Sequence, residues 1–524
     1  MVELFWVSVL LPVFAGAALS LLVERLLQPG TIPCWKRPAA ALAIHLGVWL
    51  LFFVFELVVF RRPWFAATIV PIFLLIVVLV SNAKFHSLHE PFIFQDFEYF
   101  IDALKHPRLY FPFLGWGKAL IAVAGFGAVL CVGLAVEPSL TERVPIADFF
   151  SMVACLMVSG LALLWLGAKK KLPVTFDPEE DLGRLGLIAS LWRYGEEERA
   201  HRPLPPPDDF AKACQEGSGV LPNLVVVQSE SFFDPRDLFA GIRPGVLQEF
   251  DSIKASAVIS GKLEVPAWGA NTVRTEFSFL SGLGMEKLGV HRFNPYRKIA
   301  RQGISTLASF LRNLGYRTVC VHPYPASFYA RNEVYPLLGF DAFIDIRDFD
   351  GAEKTGPYIG DVALTEKVSA LLSTSSTQPI FVFAITMENH GPLHLEKVLA
   401  GDVERLYSSP PPAGCDDLTI YLRHLRNADR MAGMLRDRLE ALPGPQWLCW
   451  FGDHVPIMPK VYSVMGAPDG WTDYLIWGKG SNRGKGARLD LNVENLGRLL
   501  LKEMGLISSN KGDYPERSRS QVSS

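Results

Sequence analysis

NLVVVQSESFF (residues 223–233) and CWFGDHVP (residues 449–456) decide the fold of the second half of this chain. Each contains a run of β-branched or aromatic apolar residues, which predicts a buried strand. Glu230 follows the first run, and Asp453 and His454 follow the second. Because open α/β sheets build their sites at the carboxyl ends of strands, we expect these three side chains to share one site.

A third fragment, WGANTVRTEF (residues 268–277), supplies a hydroxyl group at Thr272. A helix beginning near Val273 would place Thr272 at its N-cap, where backbone N–H groups and the helix dipole favour a phosphoryl group. Next to a metal ion held by carboxylates and an imidazole, such a hydroxyl loses its proton and attacks phosphorus. The alternative is that Thr272 only makes turn hydrogen bonds in a Gly/Asn-rich loop.

With these motifs the chain resembles the membrane-embedded phosphoglycerol transferases related to lipoteichoic acid synthase, in the alkaline phosphatase and sulfatase superfamily. The resemblance implies that Glu230, Thr272, Asp453 and His454 hold one divalent metal ion, usually Mn²⁺, with Zn²⁺ and Mg²⁺ left open. It also implies that Thr272 is the nucleophile. The sequence T-V-R-T after the nucleophile position lacks the C-x-P-x-R or S-x-P-x-R pattern, which argues against a formylglycine sulfatase.

Two further segments match the family's substrate-binding motifs. HPYPASFYAR (residues 322–331) implies substrate contacts from His322, Tyr329 and Arg331, although Tyr324 stands where the family has Asp and Tyr329 where it has Trp. These two departures leave the donor head group and the acceptor open. TMENHGP (residues 386–392) supplies His390, which would orient the phosphate or protonate the departing alcohol. The alternative for Arg331 is an ordinary surface arginine without a substrate contact. The alternative for His390 is a loop histidine whose hydrogen bonds are only structural.

The implied activity is transfer of phosphoglycerol from phosphatidylglycerol to an envelope glycan through a phospho-threonine intermediate. A phosphoethanolamine transferase and a non-catalytic membrane scaffold are the two alternatives. The net charge of −2 gives no reason to expect a nucleic acid as a partner. From residue 222 onward strand-like and helical patterns alternate, which predicts a sulfatase-like α/β domain with a mainly parallel sheet and helices on both faces.

The first third of the chain is predicted to be a multi-span α-helical membrane domain. Its apolar stretches have about the length that crosses a bilayer. We predict five transmembrane helices within residues 1–168, at Phe5–Val23, Ala39–Phe60, Phe65–Val80, Lys118–Val136 and Phe149–Ala168. We also predict an interfacial helix in residues 82–104, a juxtamembrane helix and Pro-rich linker in residues 169–221, the catalytic domain in residues 222–507 and a disordered tail in residues 508–524.

The distribution of basic residues and the family resemblance predict opposite orientations of the catalytic domain across the membrane. With the amino end in the cytoplasm, the inner loops carry three basic residues and the outer loops carry seven. The positive-inside rule therefore opposes an external catalytic domain. The resemblance implies the opposite, a multi-pass protein of the bacterial inner membrane with its catalytic domain facing the periplasm, and this is the orientation we expect.

Overall fold

The computed structural model describes residues 2–98, 116–200, 210, 220–374, 378–480 and 486–507. The chain forms two compact units, residues 1–201 and 202–524. The Pro-rich segment at residues 201–209 and the tail at residues 508–524, for which we predicted a spacer and disorder, lie outside the described residues.

The first unit is helical. Among its described residues five helices are long and apolar enough to cross a membrane, the same number as the predicted spans. In chain order its α-helices are α1 (Val2–Val23), α2 (Ala39–Phe60), α3 (Pro63–Leu88), α4 (Trp116–Val136), α5 (Ile146–Lys169), α6 (Pro178–Leu185) and α7 (Leu187–Arg199).

Helix α3 is longer than the sequence pattern suggested. The prediction of a separate interfacial helix beginning at Asn82 was wrong in its first part, because residues 82–88 continue α3. The helix ends where His89 adopts a left-handed conformation (φ 52°) and caps it, shortly before Pro91. A short 3₁₀ turn follows at Phe94–Glu98, and residues 99–115 are outside the described part.

The predicted juxtamembrane helix is two helices that meet in an elbow at Gly186 (φ 82°). A Cβ atom at this position would lie 2.1 Å from Arg37 Nη1, so the elbow requires glycine. The carboxylate of Glu24, which is fully buried, accepts hydrogen bonds from Arg37 Nη1 and from the backbone N–H of Ile188. His45 Nδ1 lies 3.3 Å from Glu24 Oε1. We call these five residues the elbow cluster.

The second unit is built on a mixed, mainly parallel sheet of nine strands, which confirms the predicted fold class. The strand order is β10-β2-β9-β8-β1-β7-β3-β4, with β11 also paired to β2 and β9 antiparallel to both of its neighbours. The strands are β1 (Asn223–Ser229), β2 (Ile259–Glu264), β3 (Arg317–Val321), β4 (Ala342–Ile344), β5 (Lys354–Thr355), β6 (Tyr358–Ile359), β7 (Ile380–Ile385), β8 (Gln446–Gly452), β9 (Thr472–Gly478), β10 (Ala487–Arg488) and β11 (Leu491–Asn492).

Helices cover both faces of this sheet, which is why its central strands are continuously apolar. On β1, Leu224 and Val226 enter one hydrophobic core while Val225 and Val227 enter the other. The helices are α8 (Gln248–Ser256), α9 (Thr272–Ser281), α10 (Pro295–Lys298), α11 (Leu307–Asn313), α12 (Arg331–Leu337), α13 (Asp361–Thr374), α14 (Asp402–Leu406), α15 (Asp416–Ala441), α16 (Pro459–Met465) and α17 (Val493–Glu503).

Candidate metal centre

The central strands bring the first and last sequence motifs together. Strands β1 and β8 are parallel neighbours, and their final residues, Ser229 and Gly452, pair in register. The residues that follow them, Glu230 and Asp453, therefore leave the same edge of the sheet side by side. Gly452 is required here, because a Cβ atom would lie 1.9 Å from the carbonyl oxygen of Phe232, where the chain folds back after Glu230.

Glu230, Asp453 and His454 form a compact buried cluster. One potential ligand atom from each lies within 4.8 Å of the others. His454 Nε2 is 3.5 Å from Glu230 Oε1 and 3.6 Å from Asp453 Oδ2. The side chains are almost completely excluded from solvent, with relative exposures of 3% or less. The three residues predicted from strand ends therefore do meet.

Hydrogen bonds from neighbouring groups fix the orientation of each potential ligand. The Ser231 backbone N–H donates to Asp453 Oδ1 at 2.8 Å, and its hydroxyl donates to Glu230 Oε1 at 3.1 Å. His454 Nδ1 lies 3.0 Å from the carbonyl oxygen of Val455, which can only accept. This hydrogen bond selects the tautomer in which Nε2 carries a lone pair, as in most metal-bound histidines.

The cluster fits a divalent cation. Asp453 Oδ2 and His454 Nε2 are buried and have no hydrogen-bond partner among the described residues, a costly situation without a ligand. Burial and the neighbouring Asp453 carboxylate raise the pKa of Glu230 to about 8, so the charged form is unfavourable unless a positive charge is close. Two carboxylates and one imidazole suit Mn²⁺ and Zn²⁺, and this donor set does not choose between them.

Thr272 lies on a segment that is tied to this cluster at two points. The backbone N–H of Gly269 donates to Val455 O at 3.1 Å, and the Thr275 hydroxyl donates to Asp453 O at 2.8 Å. Helix α9 begins at Thr272, with Asn271 at the N-cap in a left-handed conformation (φ 64°). The predicted N-cap position of Thr272 was thus wrong by one residue. Thr272 still lies in the first turn, the part of a helix that favours an anion.

Arg331 is buried and held by Glu276 of helix α9. Its Nε and Nη2 donate to the two Glu276 oxygens at 3.1 and 2.8 Å, and the hydroxyls of Tyr296 and Tyr335 each donate to Glu276 Oε1 at 2.5 Å. The guanidinium lies over the Tyr329 ring, 5.2 Å from its centroid. Only Nη1 of Arg331 has no hydrogen-bond partner among the described residues. One donor edge of the guanidinium is therefore fixed, and one nitrogen is left for a ligand.

His322 and His390 also follow strands at this edge of the sheet, after β3 and β7. His322 Nδ1 contacts the carbonyl oxygen of Ile385 at 3.1 Å, and His390 Nδ1 contacts that of Gly391 at 2.7 Å. Burial lowers the pKa of both imidazoles, and Arg331 lowers that of His322 further. Both rings are therefore neutral near pH 7, each with its Nδ1 proton engaged.

Backbone strain is concentrated around the same residues. Ser231, Asn271, Tyr329 and Ala330 all have left-handed backbone conformations, with φ between 52° and 64°. Residues other than glycine adopt this conformation at a cost, and they persist in it where the surrounding structure enforces it. Each of the four is adjacent to Glu230, Thr272 or Arg331, or is itself one of the residues predicted to bind substrate. Strain at four such positions is typical of a functional site.

Three supporting residues were given no role in the prediction from the sequence. Thr386 accepts a hydrogen bond from the backbone N–H of Glu230 at 2.9 Å, Ser231 orients two of the potential ligands, and Glu276 holds Arg331. Thr386 directly follows β7 just as Glu230 directly follows β1, and this repeated position was the available signal. Glu276 lies one helical turn after Thr272, but its partner on α12 is visible only in the structure.

Comparison with known proteins agrees with this architecture. Residues 222–504, more than half of the chain, match the protein family described as Sulfatase. The chain belongs to the sulfatase family. This membership confirms the superfamily indicated by the sequence motifs. Members of this superfamily are metal-dependent. The cluster of Glu230, Asp453 and His454, which could hold a metal ion, agrees with this.

The chain is similar to two curated relatives and to one solved structure. The capsular polysaccharide biosynthesis protein RkpI of Rhizobium meliloti is 28% identical over 79% of this chain and 77% of its own length. A putative cyclic beta-1,2-glucan modification protein of the same organism is 29% identical over 48% of this chain but only 38% of its own length. The integral membrane lipooligosaccharide phosphoethanolamine transferase A (EptA) from Neisseria meningitidis is 12% identical, with a TM-score of 0.52.

The EptA alignment covers 90% of this chain and 96% of that protein, so it includes the helical unit as well as the sulfatase-family unit. At this identity it shows a shared fold and nothing about substrate. The chain is thus a membrane protein with apolar helices followed by a C-terminal soluble domain of the sulfatase family. Membership of the sulfatase family supports an enzyme.

Proposed function

We propose that this chain transfers phosphoglycerol from phosphatidylglycerol to a hydroxyl group of an envelope glycan, through an intermediate in which Thr272 carries the phosphoglycerol. In this proposal it acts in the bacterial inner membrane with its catalytic unit facing the periplasm. The observation that carries the proposal is the buried Glu230–Asp453–His454 cluster, to which the segment bearing Thr272 is hydrogen-bonded on both sides.

In the first step Thr272 Oγ1 forms a bond to phosphorus, and the bond from phosphorus to the diacylglycerol oxygen breaks. The proton lost by Thr272 is balanced by the proton gained by the departing diacylglycerol. Glu230, Asp453 and His454 would hold the metal ion, which when bound supplies positive charge that lowers the pKa of the hydroxyl and stabilises the phosphate oxygens. Nη1 of Arg331, which has no partner among the described residues, would donate to a phosphate oxygen.

In the second step an acceptor hydroxyl attacks the same phosphorus, the bond from phosphorus to the Thr272 oxygen breaks, and the proton gained by that oxygen balances the one lost by the acceptor. The neutral imidazole of His390 is suited to accept the acceptor's proton at Nε2, because its Nδ1 is engaged by Gly391 O. In the first step the same imidazole, once protonated, can deliver a proton to diacylglycerol. His322 and Tyr329 complete the substrate-binding residues of the proposal.

The acceptor is proposed from the relatives. Two curated relatives are described by glycans, one by capsular polysaccharide biosynthesis and one by cyclic beta-1,2-glucan modification. Both descriptions agree with a carbohydrate hydroxyl as the group that receives phosphoglycerol. A membrane unit also agrees with a donor that is a lipid.

Phosphatidylethanolamine is the alternative donor. An ammonium head group would need an open aromatic face, and Tyr324 and Tyr329, the two departures from the family motif, are the aromatic residues that could supply it. In the structure the Arg331 guanidinium already lies over the Tyr329 ring. A second cation near that ring would be repelled by Arg331, which favours the uncharged glycerol head group.

The test uses the purified full-length protein with labelled phosphatidylglycerol or phosphatidylethanolamine in vesicles. We expect release of diacylglycerol from phosphatidylglycerol, a trapped phosphoglycerol adduct on Thr272, and loss of both in Thr272→Ala. Thr272→Ser, which keeps a hydroxyl, serves as the matched control and should retain part of the activity. Full release of diacylglycerol by Thr272→Ala would refute the mechanism, and preferential use of phosphatidylethanolamine would replace the donor.

A further inference from the structure

A cavity of about 500 Å³ lies in the second unit between helices α8, α14 and α15. This is within the range of roughly 300–1,000 Å³ that is usual for small-molecule sites. Of the described residues that line it, Leu406 is the only one with a large apolar side chain, whereas four are arginines: Arg405, Arg423, Arg426 and Arg430. We call it the arginine pocket. Its lining offers little to a lipid tail and much to an anion.

The acidic side chains of the arginine pocket are already engaged. Asp402 accepts hydrogen bonds from Arg405 at 2.7 Å and from Arg423 at 3.0 Å. Asp429 accepts from the backbone N–H groups of Glu249 and Phe250 in the first turn of α8, at 3.1 and 2.7 Å. The third acid, Glu249, lies 3.2 Å from a guanidinium outside the pocket, that of Arg436.

Arg426 and Arg430 differ from the other two arginines. Both are exposed to solvent, and neither side chain has a hydrogen bond or ion pair with any residue that the structure describes. They are four residues apart on α15, so they lie on the same face, and like charges at this spacing repel each other. A shared oxyanion relieves this repulsion and matches the planar donor geometry of two guanidinium groups.

Helix α15 links the arginine pocket to the loops around the candidate metal centre. Helix α15 forms one wall of the pocket, and its Tyr421 hydroxyl donates to the carbonyl oxygen of Ser231, next to Glu230, at 2.8 Å. Asn427, also in the wall, donates to Glu388 Oε1 at 2.5 Å. Glu388 is two residues before His390, and two residues span at most about 7 Å. One helix thus contacts both the loop after Glu230 and the loop that carries His390.

We propose that the arginine pocket binds an anionic sugar residue, bearing a carboxylate or a phosphate group, of the glycan that accepts phosphoglycerol. That the ligand is an acceptor rests on the proposed function, whereas its negative charge is inferred from the pocket itself. In this proposal one sugar of the oligosaccharide is held in the arginine pocket. The oligosaccharide then extends over a neighbouring loop, so that the hydroxyl of another of its sugars lies near His390. Glycans that already carry phosphoglycerol are anionic, so the same pocket would also retain a partly modified acceptor.

The test is a binding measurement that does not require transfer. The full chain in nanodiscs of zwitterionic lipid is titrated calorimetrically with trigalacturonate as the anionic probe and with maltotriose as the neutral one. We expect trigalacturonate to bind and maltotriose to bind at least about tenfold more weakly, the equivalent of about 1.4 kcal/mol. The Arg426→Gln/Arg430→Gln double variant should lose about tenfold in trigalacturonate affinity. Arg312→Gln, which removes an exposed arginine of α11, is the matched control and should bind like the parent protein.

Several results would overturn the proposal. They are the absence of trigalacturonate binding, equal affinity for maltotriose, and unchanged affinity in the double variant with its thermal stability intact. A double variant that loses binding only to vesicles containing phosphatidylglycerol would assign the arginines to a lipid surface instead. Thr272→Ala separates this proposal from the proposed function, because it should abolish transfer and leave trigalacturonate binding unchanged.

Discussion

Replacing Glu276 by glutamine is expected to destabilise the second unit and to disable Arg331. Glu276 is fully buried, forms a bidentate ion pair with Arg331 and accepts hydrogen bonds from Tyr296 and Tyr335. Glutamine has nearly the same shape but no charge, so Arg331 would be left as a buried cation without a counter-charge. Breaking one side of a buried ion pair typically costs about 3–5 kcal/mol.

The size of the domain converts this free energy into a temperature. A domain of the length of residues 222–504 unfolds with an entropy of about 0.6 kcal/mol/K, at roughly 2.1 cal/mol/K per residue. A loss of about 4 kcal/mol then lowers the melting temperature by about 7 °C. We also expect transfer activity to fall by at least about tenfold at a temperature where the variant is folded, because Arg331 Nη1 is no longer held in place.

The measurement combines differential scanning calorimetry of the full chain with the diacylglycerol release assay. Tyr335→Phe is the control, since it removes one hydrogen bond to Glu276 and leaves the ion pair intact. It should cost about 1–3 kcal/mol, less than Glu276→Gln. A melting temperature of Glu276→Gln within about 2 °C of the parent protein, or equal losses in the two variants, would refute the reasoning.

Two further predictions concern the metal ion and the membrane. The purified protein should bind about one equivalent of Mn²⁺ or Zn²⁺, and the Asp453→Asn variant should bind less than about half an equivalent. The affinity for the metal should rise with pH up to about 8, because the raised pKa of Glu230 means that a proton must leave before the metal binds. Titration by mass spectrometry or isothermal calorimetry at pH 6 and pH 8 checks this, and a pH-independent affinity or a substoichiometric parent protein would favour a non-catalytic scaffold. A reporter fused after Ser524 should be active in the periplasm, although seven outer and three inner basic residues predict the reverse. Activity in the cytoplasm alone would overturn the orientation and the envelope-glycan acceptor, while the metal site would stand.

The candidate metal ligands were predictable because strand ends are predictable. Buried parallel strands appear in the sequence as continuous apolar runs, and residues that follow them converge at one edge of the sheet. Glu230, His390 and Asp453 follow the neighbouring strands β1, β7 and β8 and were found by this reasoning. The number of membrane spans was equally accessible, since it depends on the length and composition of apolar stretches.

Contacts between distant segments were not predictable in this way. The ion pair between Glu276 and Arg331 joins helices α9 and α12, and the two residues are 55 positions apart in the sequence. No periodic pattern around either residue indicates which side chain it pairs with. The break at Gly186 was missed because a glycine within a helical pattern is usually tolerated. Here the backbone has a positive φ and the buried Arg37 side chain fills the space that a Cβ atom would need, and that neighbour is remote in sequence.

The elbow cluster sets an order of events during membrane insertion. Arg37 is 13 residues beyond Glu24, whereas Ile188 is 164 residues beyond it. A carboxylate at the end of a membrane helix requires a partner from the time it enters the lipid. The chain supplies Arg37 just before α2 and His45 within it, but the backbone N–H of Ile188 is synthesised only after α5 is complete. The α6–α7 elbow therefore cannot close before residue 188 has been made, and a nascent chain that stops short of it lacks the hydrogen bond from Ile188 to Glu24.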